Sequence, residues 1–288
     1  MPKFEHLSME VSYTVREARS LIARLKNETG SVGFVPTMGA LHTGHLELVR
    51  QARSENSIVA CSIFVNPTQF NNPEDLARYP RTLEHDSALL ESAGCDVLFV
   101  PSVAEMYPSP LDLRIDFGTL ETVMEGAFRP GHFNGVGVVV SKLFNIIQPD
   151  KAYFGQKDLQ QTAIIKSLIR NLSYPVGLRI CPTVREADGL AMSSRNTRLT
   201  ARERELAPGI YRILSACKAS LQQNKPVKQA IEDATAEFAR QPAFTLEFLE
   251  LADVTTLAPV NMLQNEGNNA LCVAVQLGSV RLIDNIVF

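Results

Sequence analysis

Apolar and polar positions along the first two-thirds of the chain alternate between two rhythms. Gly33-Phe34-Val35 is a short β-rich run leading into a Gly-rich turn. Leu46, Val49 and Ala52 then fall on one side of an amphipathic stretch spanning 45–54. Residues 58–65 form a compact apolar run, closed by the turn-forming Asn66-Pro67-Thr68. Residues 82–93 read as a helix ended by Gly94, 95–100 as a strand, and 136–147 as a helix stopped before Pro149. A strand pattern at 151–154, a helical one at 158–171 and a strand pattern at 176–181 complete the series. Short strands alternating with such helices predict right-handed βαβ units. The expected fold class is α/β, a doubly wound, Rossmann-like parallel sheet.

Beyond Pro182 the texture changes. Thr200 with Glu203 makes a capping box for a helix expected to run to about residue 223. A second helix follows Pro226, where proline suits the first turn. Strand-like runs then occupy 244–251, 271–277 and 280–283, the last two flanking a hairpin turn at Gly278-Ser279. This predicts a Rossmann-like domain over 1–182 and a smaller C-terminal α+β domain over 183–288. Neither an internal repeat nor a low-complexity linker separates them.

Composition narrows the function classes. A chain of 288 residues, 45% hydrophobic and 20% charged, is ordinary for a globular protein. A net charge of −3 argues against a broad nucleic-acid surface, while leaving room for a local basic pocket. The five cysteines (Cys61, Cys95, Cys181, Cys217, Cys272) form no CxxC pair, which points to free thiols in a reducing compartment. Residues 1–11 carry Lys3, Glu5 and Glu10 and lack the apolar region of a signal peptide. No uninterrupted apolar stretch approaches the roughly 20 residues of a membrane span. The expectation is a soluble, cytoplasmic protein with no membrane partner.

Three segments carry candidate chemistry. The first, Pro36-Thr37-Met38-Gly39-Ala40-Leu41-His42-Thr43-Gly44-His45, leaves a strand and opens a helix. Free backbone N–H groups and the positive end of the helix dipole make such a junction an anion site. The spacing of Gly39 and Gly44 imitates a P-loop, but His45 and Leu46 stand where its Lys and hydroxyl residue belong, so that reading fails. What remains is two histidines three apart on one turn, able to donate hydrogen bonds to phosphate without a fixed charge. Spacing alone leaves open an ordinary Gly-rich turn with two incidental histidines.

The second segment is Phe154-Gly155-Gln156-Lys157-Asp158-Leu159-Gln160-Gln161, again at a strand end entering a helix. Ligands of open parallel sheets bind at the carboxyl ends of strands, so the two segments can share one crevice. Lys157 offers a point charge to phosphate. Asp158 reads locally as a helix cap, with ribose binding as the alternative. The third segment, Met192-Ser193-Ser194-Arg195-Asn196, follows Asp188-Gly189 and by itself is also compatible with a solvated Ser-rich turn.

Taken together these strings resemble a known family. The HxGH-type turn and the downstream Met-Ser-Ser-Arg loop resemble the nucleotidyl-transferase superfamily related to class I aminoacyl-tRNA synthetases. Pro36 through His42, Phe64-Val65-Asn66-Pro67-Thr68-Gln69-Phe70 and Tyr79-Pro80-Arg81-Thr82 are similar to pantothenate synthetases, the pantoate–β-alanine ligases. So are Arg129-Pro130-Gly131-His132-Phe133, the block 153–161, and 188–196. They occur in the family's order from Pro36 to Asn196; the C-terminal third matches mainly in length and pattern.

The resemblance implies condensation of pantoate with β-alanine, driven by ATP through a pantoyl adenylate, with AMP and pyrophosphate released. It implies ATP contacts from Met38, Gly39, Ala40, Leu41, His42, Thr43, Gly44 and His45. Further ATP contacts are Gly155, Gln156, Lys157, Asp158, Val184, Met192, Ser193, Ser194 and Arg195. Catalytic roles fall to His45 (the family's proton donor), His42, Lys157 and Arg195, and pantoate and β-alanine binding to Gln69 and Gln161. Mg²⁺ would accompany the triphosphate; its protein ligands stay open, because His85 in Leu83-Glu84-His85-Asp86 departs from an acidic pattern. A homodimer is the family precedent. Arg129 and His132 receive no role. A nucleotidylyltransferase of the same superfamily, retaining AMP or CMP in its product, and a non-enzymatic nucleotide sensor are the alternative readings.

Overall fold

A computed structural model describes residues 8–288, so the part of the signal-peptide reading that rests on 1–7 lies outside the described residues. The chain opens with β1 (Glu10–Ser12), α1 (Val15–Thr29), β2 (Val32–Thr37), α2 (Thr43–Glu55) and β3 (Ile58–Ile63). It continues through α3 (Pro73–Ala77), α4 (Leu83–Ser92), β4 (Val97–Phe99), α5 (Val103–Met106), α6 (Glu125–Phe128) and α7 (His132–Ile147). Next come β5 (Lys151–Gly155), α8 (Leu159–Asn171) and β6 (Gly177–Cys181). α9 (Ala201–Leu206), α10 (Gly209–Gln222), α11 (Val227–Ala239), β7 (Phe244–Asp253), β8 (Asn269–Leu277) and β9 (Val280–Val287) follow.

The first six strands form one parallel sheet in the order β1-β4-β3-β2-β5-β6. Alternate residues feed opposite faces, as a pleated strand requires. Phe34, Ala60, Phe99 and Phe154 pack with α1, α7 and α8, whereas Val35, Cys61, Leu98 and Tyr153 pack with α2 and α4. The expected doubly wound fold is therefore present. From β2 the chain proceeds to β3 on one side, and from β5 to β6 on the other. The order thus reverses between β2 and β5, the place where ligands bind such sheets.

The antiparallel sheet β7-β8-β9 is buried on both faces. Leu249, Leu251, Val273 and Val275 pack under α10 and α11. Phe248, Ala252, Ala270 and Ala274 pack against Met124, Leu159 and Ala163 of the first unit. Small residues on that second face let the sheet sit close to α8, which anchors the two units side by side.

Three expectations need correction. The helix expected from 200 to about 223 is two helices, broken at Pro208, which lacks an N–H and cannot continue the ladder. The capping box of Thr200 and Glu203 is present. Pro226 stands at the N-cap position, one residue before α11 rather than in its first turn. Asp158 does not cap α8: it occupies the N-cap position, but its side chain makes no capping hydrogen bond. Among elements the pattern did not announce, α1 begins with a capping box from Thr14 and Glu17, a signal readable in the sequence.

Candidate active site

The turn leaving β2 passes through two consecutive left-handed residues, Gly39 at φ +82° and Ala40 at φ +51°. For alanine this conformation is unfavourable and needs outside support. Asp86 of α4 supplies it. Its fully buried carboxylate accepts the N–H groups of Ala40 and Leu41, both at 2.9 Å, and the Thr82 hydroxyl at 3.1 Å. Local sequence offers no sign of this clamp, because Asp86 lies 45 residues from Leu41. His85, its neighbour, is exposed.

The clamped turn delivers His42 to the N-cap of α2. The His42 Nδ1 accepts the Gly44 N–H at 3.1 Å, and the His45 Nδ1 accepts the His42 N–H at 3.4 Å, a capping box built from imidazoles. A Cβ on Gly44 would lie 2.9 Å from the His42 ring, so this position requires glycine. Because each Nδ1 accepts, the ring proton resides on each Nε2. The rings touch at 4.1 Å between centroids, tilted by 43°. Burial lowers the His42 pKa to about 4, aided by Lys157, and burial, His42 and Lys157 lower that of His45 to about 3. Both are uncharged Nε2–H donors at neutral pH. His45 thus offers a hydrogen bond, and not an imidazolium, to an incoming anion.

β5 lies beside β2 in parallel register, so its exit turn faces the histidine turn. The walls of the resulting cavity, about 210 Å³, include Met38, His42, Gly44, His45, Gly155, Lys157 and Asp158. The loop after β6 completes it with Val184, Met192, Ser193, Ser194 and Arg195. Five expected residues do not line it. Gly39, Ala40 and Leu41 are the clamped turn behind the histidines, Thr43 is exposed in the first turn of α2, and the Gln156 amide turns toward Asn285.

At the far end Val136, Val139, Val140 and Leu143 of α7 make an apolar wall beside Gln69 and Gln161. The buried Gln69 amide is oriented by Asn66, whose Nδ2 donates to Oε1 at 3.2 Å, and by contact of Nε2 with the Met38 sulfur at 3.1 Å. The two adjacent glutamines of α8 divide their labour. Gln160 is spent on the Leu120 and Val123 carbonyls and the Glu125 N–H, whereas Gln161 keeps its amide for the cavity.

Two further residues escaped sequence reasoning. Asn285 of β9 is buried and donates through Nδ2 to the carbonyls of Gln156 (2.9 Å) and Lys157 (2.8 Å). Its neighbour Asp284 takes a bidentate pair from Arg185, at 2.6 and 2.9 Å, next to Val184. One stretch of the C-terminal sheet therefore ties down two walls of the cleft. Arg195 reaches Asp75 of α3 at 3.2 Å, and Arg198 shares the same carboxylate. No group of three or more His, Cys, Asp or Glu side chains suited to a metal occurs among the described residues.

A doubly wound sheet with neutral donors at a helix start, a lysine turn opposite and an arginine loop above defines a phosphate-handling α/β protein. Comparison with known proteins makes this specific. The family model described as pantoate-beta-alanine ligase matches residues 10–287, and the chain belongs to that family. It is 47% identical over 275 residues to the pantothenate synthetase of Cytophaga hutchinsonii, covering 95% of this chain and 97% of the relative. It is 48% identical over 286 residues to that of Bacteroides thetaiotaomicron, covering 97% and 99%. The crystal structure of pantothenate synthetase from Thermus thermophilus superposes with a TM-score of 0.91 at 45% identity, over 97% of this chain and 99% of that one. The pantoate-beta-alanine ligase of Francisella tularensis, complexed with beta-gamma ATP and beta-alanine, gives 0.81 at 36% identity, over 97% of each chain.

Proposed function

We propose that the chain joins pantoate to β-alanine at the expense of ATP, using the cleft between the β2 and β5 exit turns. What supports the reading is the convergence of His42, His45, Lys157 and Arg195 on one side of a cavity whose other side is apolar and amide-lined. Pantoate is a branched hydroxy acid. Its two methyl groups suit the valines of α7, and its hydroxyls suit Gln69 and Gln161. ATP lies across the β2–β5 switch point, with its phosphates toward the histidine Nε2–H groups, Lys157 and Arg195. Asp158, exposed and free of capping duty, takes the ribose hydroxyls. Among the described residues no side-chain cluster makes a metal cage, so Mg²⁺ would be held by phosphate oxygens with Asp158 at hand, and when bound it would neutralise phosphate charge.

A carboxylate resists attack by an amine until one oxygen becomes a leaving group. In the first step a pantoate carboxylate oxygen bonds to the α-phosphorus, and the bond to pyrophosphate breaks with its electron pair. The four protein donors stabilise the charge that develops on the phosphates. In the second step the neutral amine of β-alanine bonds to the acyl carbon, the carbon–oxygen bond to AMP breaks with its electron pair on the phosphate oxygen, and the amine proton passes to the departing phosphate or to water. This step relies on proximity to a reactive carbonyl. The ligase relatives leave the nucleotidylyltransferase alternative disfavoured. We take residues 183–288 as the unit that carries the arginine loop, and a cytoplasmic homodimer as the setting. Among the described residues no helix is long and apolar enough to cross a membrane, and all five cysteines are free.

The test is exchange of labelled pyrophosphate into ATP. Pantoate and ATP alone are expected to support it, with AMP accumulating once β-alanine is added. Exchange that strictly requires β-alanine would overturn the two-step order.

A further inference from the structure

Behind Gln69 lies an arginine that the reaction as described does not use. Arg129 follows α6, and its side chain is only 20% exposed. Its Nη1 meets the His132 Nε2 at 3.3 Å, and its Nη2 points to the Gln69 carbonyl at 3.5 Å. His132 is itself buried, with its Nδ1 donating to that same carbonyl at 2.8 Å. This leaves its Nε2 to accept from the arginine. Burial and the adjacent guanidinium lower the His132 pKa to about 3, so the ring is neutral. The nearest carboxylate, Glu125, is 3.9 Å away, and both its oxygens are taken by Arg281, at 2.6 and 2.7 Å. Arg129 is thus a buried cation whose hydrogen-bond partners are neutral and whose one ion pair, to Glu125, is long.

This cation faces a second cavity of about 420 Å³, which shares Lys157, Asp158, Ser193 and Arg195 with the first. It also sits beside Gln161, which lines both the pantoate end and the small pocket under Arg129. A ligand reaching from Gln69 and Gln161 toward Arg129 therefore has its far end at a positive charge whose carboxylate neighbour, Glu125, is 3.9 Å away and held more closely by Arg281. Six acidic and six basic side chains line the larger cavity, Glu125, Asp158 and Glu247 among the acids, a charge balance that suits a single carboxylate better than pyrophosphate. We propose that Arg129, set by His132 and the Gln69 carbonyl, receives the carboxylate of the amino-acid substrate and selects an ω-amino acid of β-alanine's length. This rests on the ligase reading above. An amine without the carboxylate loses the charge-assisted bond, and a longer or shorter amino acid carries its nitrogen away from the acyl carbon.

The experiment uses the full chain and separates the two halves of the reaction. Arg129→Gln is expected to lower kcat/KM for β-alanine by about 10²-fold while leaving β-alanine-independent pyrophosphate exchange within about twofold of the parent. Arg129→Lys should recover part of the loss. The unaltered protein should use β-alaninamide, which has the same length without the carboxylate, about 10²-fold less efficiently than β-alanine, and Arg129→Gln should erase that preference. Equal use of the two amines by the unaltered protein overturns the proposal without any variant. So does a loss of exchange that matches the loss of synthesis, which would assign Arg129 to the phosphates or to the fold. Absence of both exchange and pantothenate formation in the unaltered protein would instead overturn the ligase reading.

Discussion

Truncating Asn285 to alanine tests whether the C-terminal sheet positions Lys157 for the proposed adenylation. The substitution deletes the donor that meets the Gln156 carbonyl at 2.9 Å and the Lys157 carbonyl at 2.8 Å. Each such bond is worth about 0.5–1.5 kcal/mol net, so the two together hold the turn by about 1–3 kcal/mol. If the whole amount is expressed in the transition state for adenylation, exchange slows by between ~5-fold and ~150-fold. The same range follows from geometry, since a shift of about 1 Å in a reacting group can cost ~10²-fold. Global stability falls by no more than the same amount, a few degrees in Tm for a chain of this size. Pantoate-dependent pyrophosphate exchange at about 25 °C, well below the transition of a typical domain, isolates the effect, and the pantoate KM should stay unchanged. Asn285→Asp keeps the side-chain shape but presents carboxylate oxygens to two carbonyls, and should be worse than alanine. A variant with lowered Tm but parental exchange kinetics would refute the reasoning: the tether would then serve the fold and not Lys157.

Two other outcomes follow from the histidine turn. His45→Ala should reduce exchange ~10²–10³-fold, the usual effect of deleting one transition-state donor, whereas His42→Ala should add a loss of about 0.5–2 kcal/mol in stability because it also uncaps α2. Stability should depend on pH with a definite sign. His42, His45 and His132 titrate at about 4, 3 and 3 in the folded chain, against about 6.5 unfolded, so below about pH 6.5 the unfolded chain binds more protons. Tm should hold above about pH 7 and fall progressively from about pH 6.5 toward 4, and replacing His132 with a neutral residue of similar size should flatten that fall. A Tm that rises on acidification through this window would contradict the neutral assignment.

The segments that are legible in the sequence are those whose meaning is local. A strand, a glycine turn and a helix start are written contiguously in 33–54 and 151–171, and the backbone rules for such junctions identify an anion site without knowledge of the rest of the fold. The break at Pro208 is equally local, a proline set inside a helical period that the upstream capping box masks. β1, three residues long at the sheet edge, is too short to show a period. Tertiary structure alone decided which polar residues converge. Asp86 clamps a turn 45 residues away, Asn285 holds Lys157 across 128 residues, and Arg129 is set by a carbonyl 60 residues upstream. A side chain's local sequence specifies its backbone neighbours and its face, but a polar group's partner depends on where the distant chain arrives. In sequence Asp86 is one acidic residue within the predicted 82–93 helix, and Asn285 lies just beyond the 280–283 strand run. Only burial, which forces each of their polar atoms to find a partner, turned them into parts of the site.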